Sequence, residues 1–341
     1  MTNLNRRDFL KLAGAAAATA VLKPLPPDDT RFQSIGLGRV TDWRTWAYKD
    51  PRPGARREVA LTRDEVVSIL DTVSTEGIWP HNSVWNLTKY GWVYSSWLQP
   101  VERQLNPVEE RIPAQGFWAE VTVPYVEMRV APTDRAISWY RLYYSSVHLV
   151  VGRVDDANNG SWYQLKDDQY TNRVEYVRAE ALRKIEPAEM APISPNVTDK
   201  YIEVSIKDQN LYAYEKNSLV FTARCATGAT FSIEGGTADF TTPTGEHTVV
   251  RKRPSRHMMG FIGRPDEYDL PGVPFCTYFT QEGAAVHGAY WHNDFGHPRS
   301  HGCVNVLAAD ARWVYRWSQP VAPYEDALLV VNEGGTKIVV A

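Results

Sequence analysis

Apolar and polar positions alternate with a period of two along several stretches of this chain. In residues 201–206, Ile202, Val204 and Ile206 alternate with polar neighbours, the spacing that turns one face of a strand into a core. Turn-prone Asp208-Gln209-Asn210 leads into 211–214, and Lys216-Asn217 precedes 219–225. Together they predict a meander of antiparallel strands. Residues 118–123 and 147–154 are β-branched or aromatic runs bounded by turn residues, and 328–331 reads as a last strand. One segment breaks the pattern: in 308–318, Trp313 and Trp317 stand one turn apart and Pro320 follows. It predicts a helix. The expected class is mostly β with one main helix.

Two breaks divide the chain. Residues 24–29 (Pro-Leu-Pro-Pro-Asp-Asp) read as an extended linker, and Pro187, Pro192 and Pro195 fall in quick succession further on. Between them lies an internal repeat. Trp92, Leu98 and Val101 match Tyr176, Leu182 and Ile185 at one shift (176 − 92 = 84), which also superposes Val66-Val67 on Val150-Val151 and Ala47 on Ala131. Each unit is a set of short strands closing on an aromatic-Val-x-x-x-x-Leu ending. It looks like the bacterial SH3-like module, a small β-barrel of exported wall enzymes. Two modules are expected, at 38–104 and 117–186, with structural spacing and wall binding both open as roles.

Composition narrows the field. The 341 residues favour two or three domains, and 43% hydrophobic with 23% charged residues describes a soluble globular chain. A net charge of −3 gives no overall attraction to nucleic acid or an anionic membrane. Twelve tryptophans and eighteen tyrosines suit strand-rich cores. At the N-terminus, Arg6-Arg7-Asp8-Phe9-Leu10-Lys11 precedes an uncharged, alanine-rich run over 12–22. This is the layout of a cleavable signal, and its paired arginines resemble a twin-arginine address over 1–23. The run is short for a bilayer span, so no stable membrane span is expected, and no cysteine near it would carry lipid. Export to the periplasm or cell wall follows, with a linker over 24–37. Three cysteines, Cys225, Cys276 and Cys303, are an odd and widely spaced set, so at least one thiol stays free.

The free thiol with a reason is Cys303. Residues 287–305 hold half of the eight histidines, ending Ser300-His301-Gly302-Cys303-Val304-Asn305. A thiol attacks well only as thiolate, and a nearby imidazole takes its proton and later returns it to a leaving amine. Gly288 and Gly302 allow close backbone approach, and N–H groups beside the sulfur suit an oxyanion.

His287-Gly288 with Ser-His-Gly-Cys-Val-Asn at 300–305 resembles the signature of the YkuD-type L,D-transpeptidases. Thr242-Pro243-Thr244-Gly245 and Asp310-Ala311-x-Trp313 support it. The resemblance covers about 198–333 and implies a YkuD-like β-sandwich with one main helix, a cysteine nucleophile, and neither metal nor other cofactor. It implies that an acyl group from a peptidoglycan tetrapeptide stem passes through the cysteine to an amine of a neighbouring stem, making a 3→3 crosslink in wall biogenesis. Carried over, Cys303 is the nucleophile and His287 the base. The Gly288 carbonyl orients the imidazole, and Gly302 and Cys303 offer oxyanion N–H groups. Ser300, His301 and Asn305 shape the pocket, with Arg299 and Tyr278 expected beside the substrate.

Alternatives remain. His301, two residues from the sulfur, is a rival base. Zinc ligation by His287, His292, His297, His301 and Cys303 is a second reading of the cluster. Cys225 and Cys276 read as small buried hydrophobes. His292, His297, Trp291 and Phe295 either line the cleft or serve turns and core. The run 251–260 is basic and then flexible ahead of a Gly/Pro-rich segment to Pro274, and it reads as a surface loop, solvated or gripping stem carboxylates. Water as acceptor would make the protein an L,D-carboxypeptidase or wall endopeptidase, and a non-catalytic wall-binding protein is the alternative from another class. Papain-like wall peptidases are disfavoured, because their cysteine precedes the histidine.

Overall fold

The computed structural model describes residues 34–156, 160–233, 236–261 and 267–341. The expected signal at 1–23 and most of the linker lie outside the described residues. The chain forms two compact units. One runs to Glu102 and includes Trp291–Asp294; the other is Arg103–Tyr290 with Phe295–Ala341.

In the first unit the strands are β1 (Gly36–Val40), β2 (Arg44–Tyr48), β3 (Arg57–Thr62), β4 (Val66–Ile69), β5 (Asp71–Trp79), β6 (Asn82–Thr88), β7 (Gly91–Tyr94) and β8 (Leu98–Val101). They form sheets ordered β4-β1-β8 and β3-β2-β7-β6-β5. Alternation along them buries Val40, Ala47, Leu61, Val67, Val93 and Leu98 in one cluster. Tyr48, Ala55, Trp85 and Tyr94 form a second.

The second unit opens with β9 (Phe117–Val121), β10 (Tyr125–Arg129), β11 (Ser138–Tyr143), β12 (Val147–Asp156), β13 (Gly160–Lys166), β14 (Glu175–Arg178) and β15 (Leu182–Lys184). Their order is β11-β10-β14-β13-β12-β9-β15. With β12 standing for β4 and β5 end to end, this is the strand order of the first module. Both modules also insert a 3-10 turn before the last strand, at Ser95–Trp97 and Ala179–Ala181.

The shift of 84 holds for these closing elements (175 − 91) but not earlier, where β1 and β9 are 81 apart (117 − 36). Trp92 with Tyr176 and Leu98 with Leu182 are therefore equivalent. Ala131 lies beyond β10, and Val66 corresponds to the start of β12, not to Val150. The cause is local. The β13–β14 connection takes residues 167–174, where β6–β7 takes only Lys89 and Tyr90, and the longer β4–β5 run offsets part of the difference.

The remainder of the second unit contains β16 (Lys200–Ser205), β17 (Asn210–Glu215), β18 (Ser218–Arg224), β19 (Thr230–Ile233), β20 (Gly236–Asp239), β21 (Gly245–Thr248), β22 (Arg251–Gly260), β23 (Tyr268–Tyr278), β24 (Ala285–Gly288), β25 (Val304–Val306), helix α1 (Ala308–Trp317), β26 (Leu329–Val330) and β27 (Lys337–Val340). Two five-stranded sheets, β18-β17-β16-β27-β21 and β25-β24-β23-β22-β26, accompany the β19–β20 hairpin. One core joins them: Ile202, Val204, Leu211 and Ile338 meet Phe275, Val286, Val304 and Val306, with Val314 and Trp317 of α1. Burying each such side chain contributes about 1.5–3 kcal/mol. Trp118, Val147 and Ile185 of the second module belong to the same core. Among the described residues α1 is the only α-helix, so the protein is mostly β with one main helix.

The run 251–260 is not a surface loop. It is β22, paired antiparallel with β23. Its charges have partners inside the fold: Arg253 and Arg256 both bond Asp168. Lys252 is fully buried, donating to the carbonyls of Ser318 and Pro320 at 3.0 Å and lying over the Tyr315 ring. Lys200 donates to Trp317 O at 2.9 Å, so two lysine side chains meet the carbonyl end of α1.

Candidate active site

The two halves of the signature meet because β24 and β25 pair in parallel. Their register sets Val286 beside Val304 and His287 beside Asn305. Cys303 immediately precedes β25, so this pairing sets the cysteine and His287 on adjacent strands, two register positions apart. Asn305, 1% exposed, also exchanges both backbone hydrogen bonds with Ala226 (2.9 and 2.8 Å). That bridge closes the sheet beside the site. The side chain of Gln209, which no sequence motif singled out, holds Thr227 through its N–H (2.9 Å) and hydroxyl (2.7 Å). Its only sequence signal was a place in a turn.

The turn before Cys303 is fixed by hydroxyls. Gly302 has φ +108°, a left-handed conformation that glycine adopts without strain. Ser300 Oγ accepts the Gly302 N–H at 3.2 Å and donates to Cys303 O at 2.5 Å. Thr242, fully buried, donates to the same carbonyl at 3.4 Å and accepts the Gly228 N–H at 2.8 Å. The Thr-Pro-Thr-Gly segment therefore acts as a brace for the cysteine turn. Of the two expected oxyanion donors, the Gly302 N–H is engaged by Ser300. The Cys303 N–H has no partner among the described residues.

His287 is 2% exposed, and its Nδ1 bonds Gly288 O at 3.1 Å. A carbonyl accepts only, so Nδ1 carries the proton and Nε2 is left as the basic nitrogen. Gly288 also leaves room, since a Cβ there would lie 2.6 Å from Pro274 Cγ and 2.8 Å from Ala308 Cα. Burial pushes His287 down to about 4, against the bond to Gly288, which raises it. Burial likewise pushes Cys303 up to about 11, a backbone hydrogen bond from Ala285 opposing. The pair at rest is neutral thiol and neutral imidazole. Cys303 is partly exposed, and its sulfur contacts Gly283 O at 3.8 Å.

His301 lies in an aromatic nest. Its ring stacks on Phe231 (4.4 Å) and meets Phe240 (4.7 Å), Tyr268 (5.1 Å) and Phe261 (5.5 Å). Burial, then the charge Cys303 would carry, raises Tyr268. Tyr278 is 5% exposed under the Arg251 guanidinium (4.3 Å); burial, then Cys276 and Cys303, push it up. Tyr268, Phe231 and Phe240 were not read from the sequence, because nothing local marks a ring that meets a histidine across sheets. Arg299 is exposed, with its N–H on Thr227 O. His292 is buried and accepts the Asp294 N–H at 3.2 Å; His297 is exposed. Cys225 is buried, pushed up to about 12, and Cys276 is buried with its thiol toward Val273 O. Among the described residues no three His, Cys, Asp or Glu side chains converge as metal ligands.

Comparison with known proteins places these features. The YkuD family, described as the L,D-transpeptidase catalytic domain, matches residues 199–340. The twin-arginine translocation signal sequence matches 3–23. The chain is similar to the crystal structure of an L,D-transpeptidase from Xylanimonas cellulosilytica, at 26% identity over 42% of this chain, with TM-score 0.30. That match spans 60% of the Xylanimonas chain. An L,D-transpeptidase from Mycobacterium smegmatis is 18% identical over 71% of this chain and 100% of its own, TM-score 0.34. L,D-transpeptidase 3 from Mycobacterium tuberculosis is 18% identical over 57% and 79%, TM-score 0.32. No curated protein matches. The signal addresses the chain to the twin-arginine route and so to the periplasm or cell wall. No helix among the described residues is long and apolar enough to cross a membrane.

Proposed function

We propose that the protein, whose residues 199–340 match the L,D-transpeptidase catalytic domain family, joins peptidoglycan stem peptides through a thioester on Cys303. The pairing of β24 with β25, with His287 two register positions from Cys303 on the adjacent strand, supports this reading. His287 Nε2 takes the thiol proton as Sγ attacks the carbonyl carbon of the donor stem's terminal amide. The Cys303 N–H receives the oxyanion. When the C–N bond breaks, the imidazole gives its proton to the departing D-alanine amine. A neighbouring stem's amine then attacks the thioester, loses a proton to His287, and releases Cys303 with a 3→3 crosslink made. Ser300 and Thr242 fix the cysteine turn, and Arg251, over the Tyr278 ring, is the cation assigned to a stem carboxylate. The two β modules are read with this domain as SH3-like units.

A neutral resting pair has a kinetic signature. His287 remains an acceptor above about pH 4, and Cys303 remains a thiol up to about pH 11. Proton transfer therefore belongs to the attack itself, and the ultraviolet absorbance of thiolate should be absent at neutral pH. Full thiolate absorbance at pH 7, lost in Cys303→Ala, would refute this order of events. The deciding experiment incubates the full protein with disaccharide-tetrapeptides. Crosslinked dimers are expected from wild type and none from Cys303→Ala. Tripeptides without dimers would make water the acceptor, and turnover by Cys303→Ala would remove the nucleophile assignment.

A further inference from the structure

The eight-residue β13–β14 connection, absent from the first module, closes on β22. Asp168 takes Arg253 and Arg256 on one oxygen and the His257 N–H on the other (2.8 Å). Gln169 Nε2 donates to His257 O at 3.2 Å. Asp167 Oδ2 meets His257 Nδ1 at 2.7 Å, while its Oδ1 accepts the N–H groups of Gln169 (2.7 Å) and Tyr170 (3.1 Å). The other ring nitrogen, Nε2, meets Asp269 Oδ1 on β23 at 2.5 Å. Asp269 Oδ2 in turn accepts the Tyr140 hydroxyl of β11 at 3.0 Å. The rings of Tyr140 and Tyr170 stand edge-on to the imidazole at 5.3 and 5.6 Å. His257 is 1% exposed. A buried imidazole with a carboxylate on each nitrogen donates from both, so it is the cation.

This cation stands next to the site. Asp269 adjoins Tyr268, which packs on His301, and four residues after His257 comes Phe261, which stacks on the same ring. We propose that His257 is a positioning residue of the candidate active site. Through it the 167–170 loop of the second module holds the β22–β23 hairpin, whose Phe261 and Tyr268 wall His301. The proposal rests on the assignment of the site to Cys303 and His287. The second module is then a working part of that site as well as a spacer.

The groups facing His257 give the device a pH dependence. They are Asp167, Asp168 and Tyr170 from the loop, Glu175 from β14, Tyr140 from β11, His148 from β12, Asp269 from β23, and Arg253 and Arg256 on its own strand. Burial alone would lower His257, but the hydrogen bonds to Asp167 and Asp269 outweigh it and raise it. Glu175, 1% exposed with no hydrogen-bond partner for either oxygen among the described residues, is raised by burial and then by Asp167. Burial holds His148 neutral, down to about 4. A folded-state pKa above the unfolded one stabilises fully below the unfolded value and ceases to as pH rises through the folded value. Both raised groups therefore weaken the clamp on the alkaline side.

The test uses the full protein, His257→Gln, and the milder Asp167→Asn. Hydrogen exchange of the hairpin segments flanking Phe261 and Tyr268 should rise about tenfold in both variants while α1 stays protected. KM for a disaccharide-tetrapeptide should rise about tenfold with kcat within about threefold, since binding is lost and the chemistry is not. In wild type, hairpin protection and KM should worsen together above neutral pH, and His257→Gln should keep only the part of that dependence that Glu175 contributes. Unchanged exchange and KM in Asp167→Asn, or wild-type hairpin protection indifferent to pH, would overturn the proposal, and the wild-type arm decides it even where a variant fails to fold. Inactive wild type with pH-dependent hairpin protection would instead sink the catalytic assignment and keep the clamp.

Discussion

The two β modules share a strand order and differ in what they are built into. The first keeps its apolar residues in clusters of its own, around Val40, Leu61 and Trp85. The second puts Trp118, Val147 and Ile185 into the core that also holds Ile202, Val286 and Trp317. Trp118 Nε1 donates to Tyr324 O at 3.0 Å, and Tyr324 returns its hydroxyl to Ile185 O at 2.9 Å. The same topology thus serves once as a separate unit and once as part of the larger core of the second unit, and the difference lies in a few side chains and one lengthened loop. Substitution of one buried tryptophan in each module, Trp118 and Trp85, separates these roles most strongly. Trp118→Ala should cost about 3–5 kcal/mol and lower hydrogen-exchange protection across β16 and β27. Trp85→Ala, at a 0% exposed site whose indole donates to Glu76 O at 3.0 Å, should cost as much but unprotect only the first unit. If Trp118→Ala loosened residues 117–184 alone, the second module would be as independent as the first.

A smaller effect should distinguish the units by pH. Burial, then Lys200, pushes Lys252 down to about 7, below the ordinary lysine value. A depressed pKa gives stability present above the unfolded value, near 10.4, and lost as pH falls through the folded value. The second unit should therefore gain up to about 1.4 kcal/mol per pH unit between 7 and 10 from this group. His257 acts with the opposite sign in part of that window, so the measurement is the difference between wild type and Lys252→Met in urea titrations. The first unit should show no change on this substitution. A difference that does not grow with pH would mean that the carbonyls of Ser318 and Pro320 keep Lys252 charged.

Local signals explain what the sequence made visible. Alternation at Ile202 and Val204 marked β16 because one-sided burial of a strand is written in its own sequence, whatever packs against that face. The pair Trp313 and Trp317 marked α1 by its spacing, and the cysteine turn was visible because Gly302 and its neighbours are contiguous. The basic run from Arg251 was misread because a strand rich in Arg and Lys resembles a solvated loop. Its neutralising partners lie far away, Asp168 being 85 residues before Arg253. The repeat was visible at its closing strands and slipped by three residues (84 − 81) before them, since the unequal loops lie between. Long-range pairing, in each case, is what the chain order hides.

The lengthened loop supplies the smallest and most local test. Asp168→Ala removes the acceptor of two guanidinium groups and of the His257 N–H. Asp168 keeps partial solvent access, so water replaces part of what is lost, and the expected cost is about 1–3 kcal/mol. At the corresponding connection of the first module, Lys89 is exposed and only lies over the Tyr90 ring at 4.7 Å. Lys89→Ala should change stability by no more than about 0.5 kcal/mol. Chemical denaturation of both variants, read separately for each unit by hydrogen exchange, checks the pair. Equal small effects would mean that the loop merely overlies β22. A cost confined to Asp168→Ala would mean that the insertion at 167–174 ties the second module into the sheet of β22 and β23.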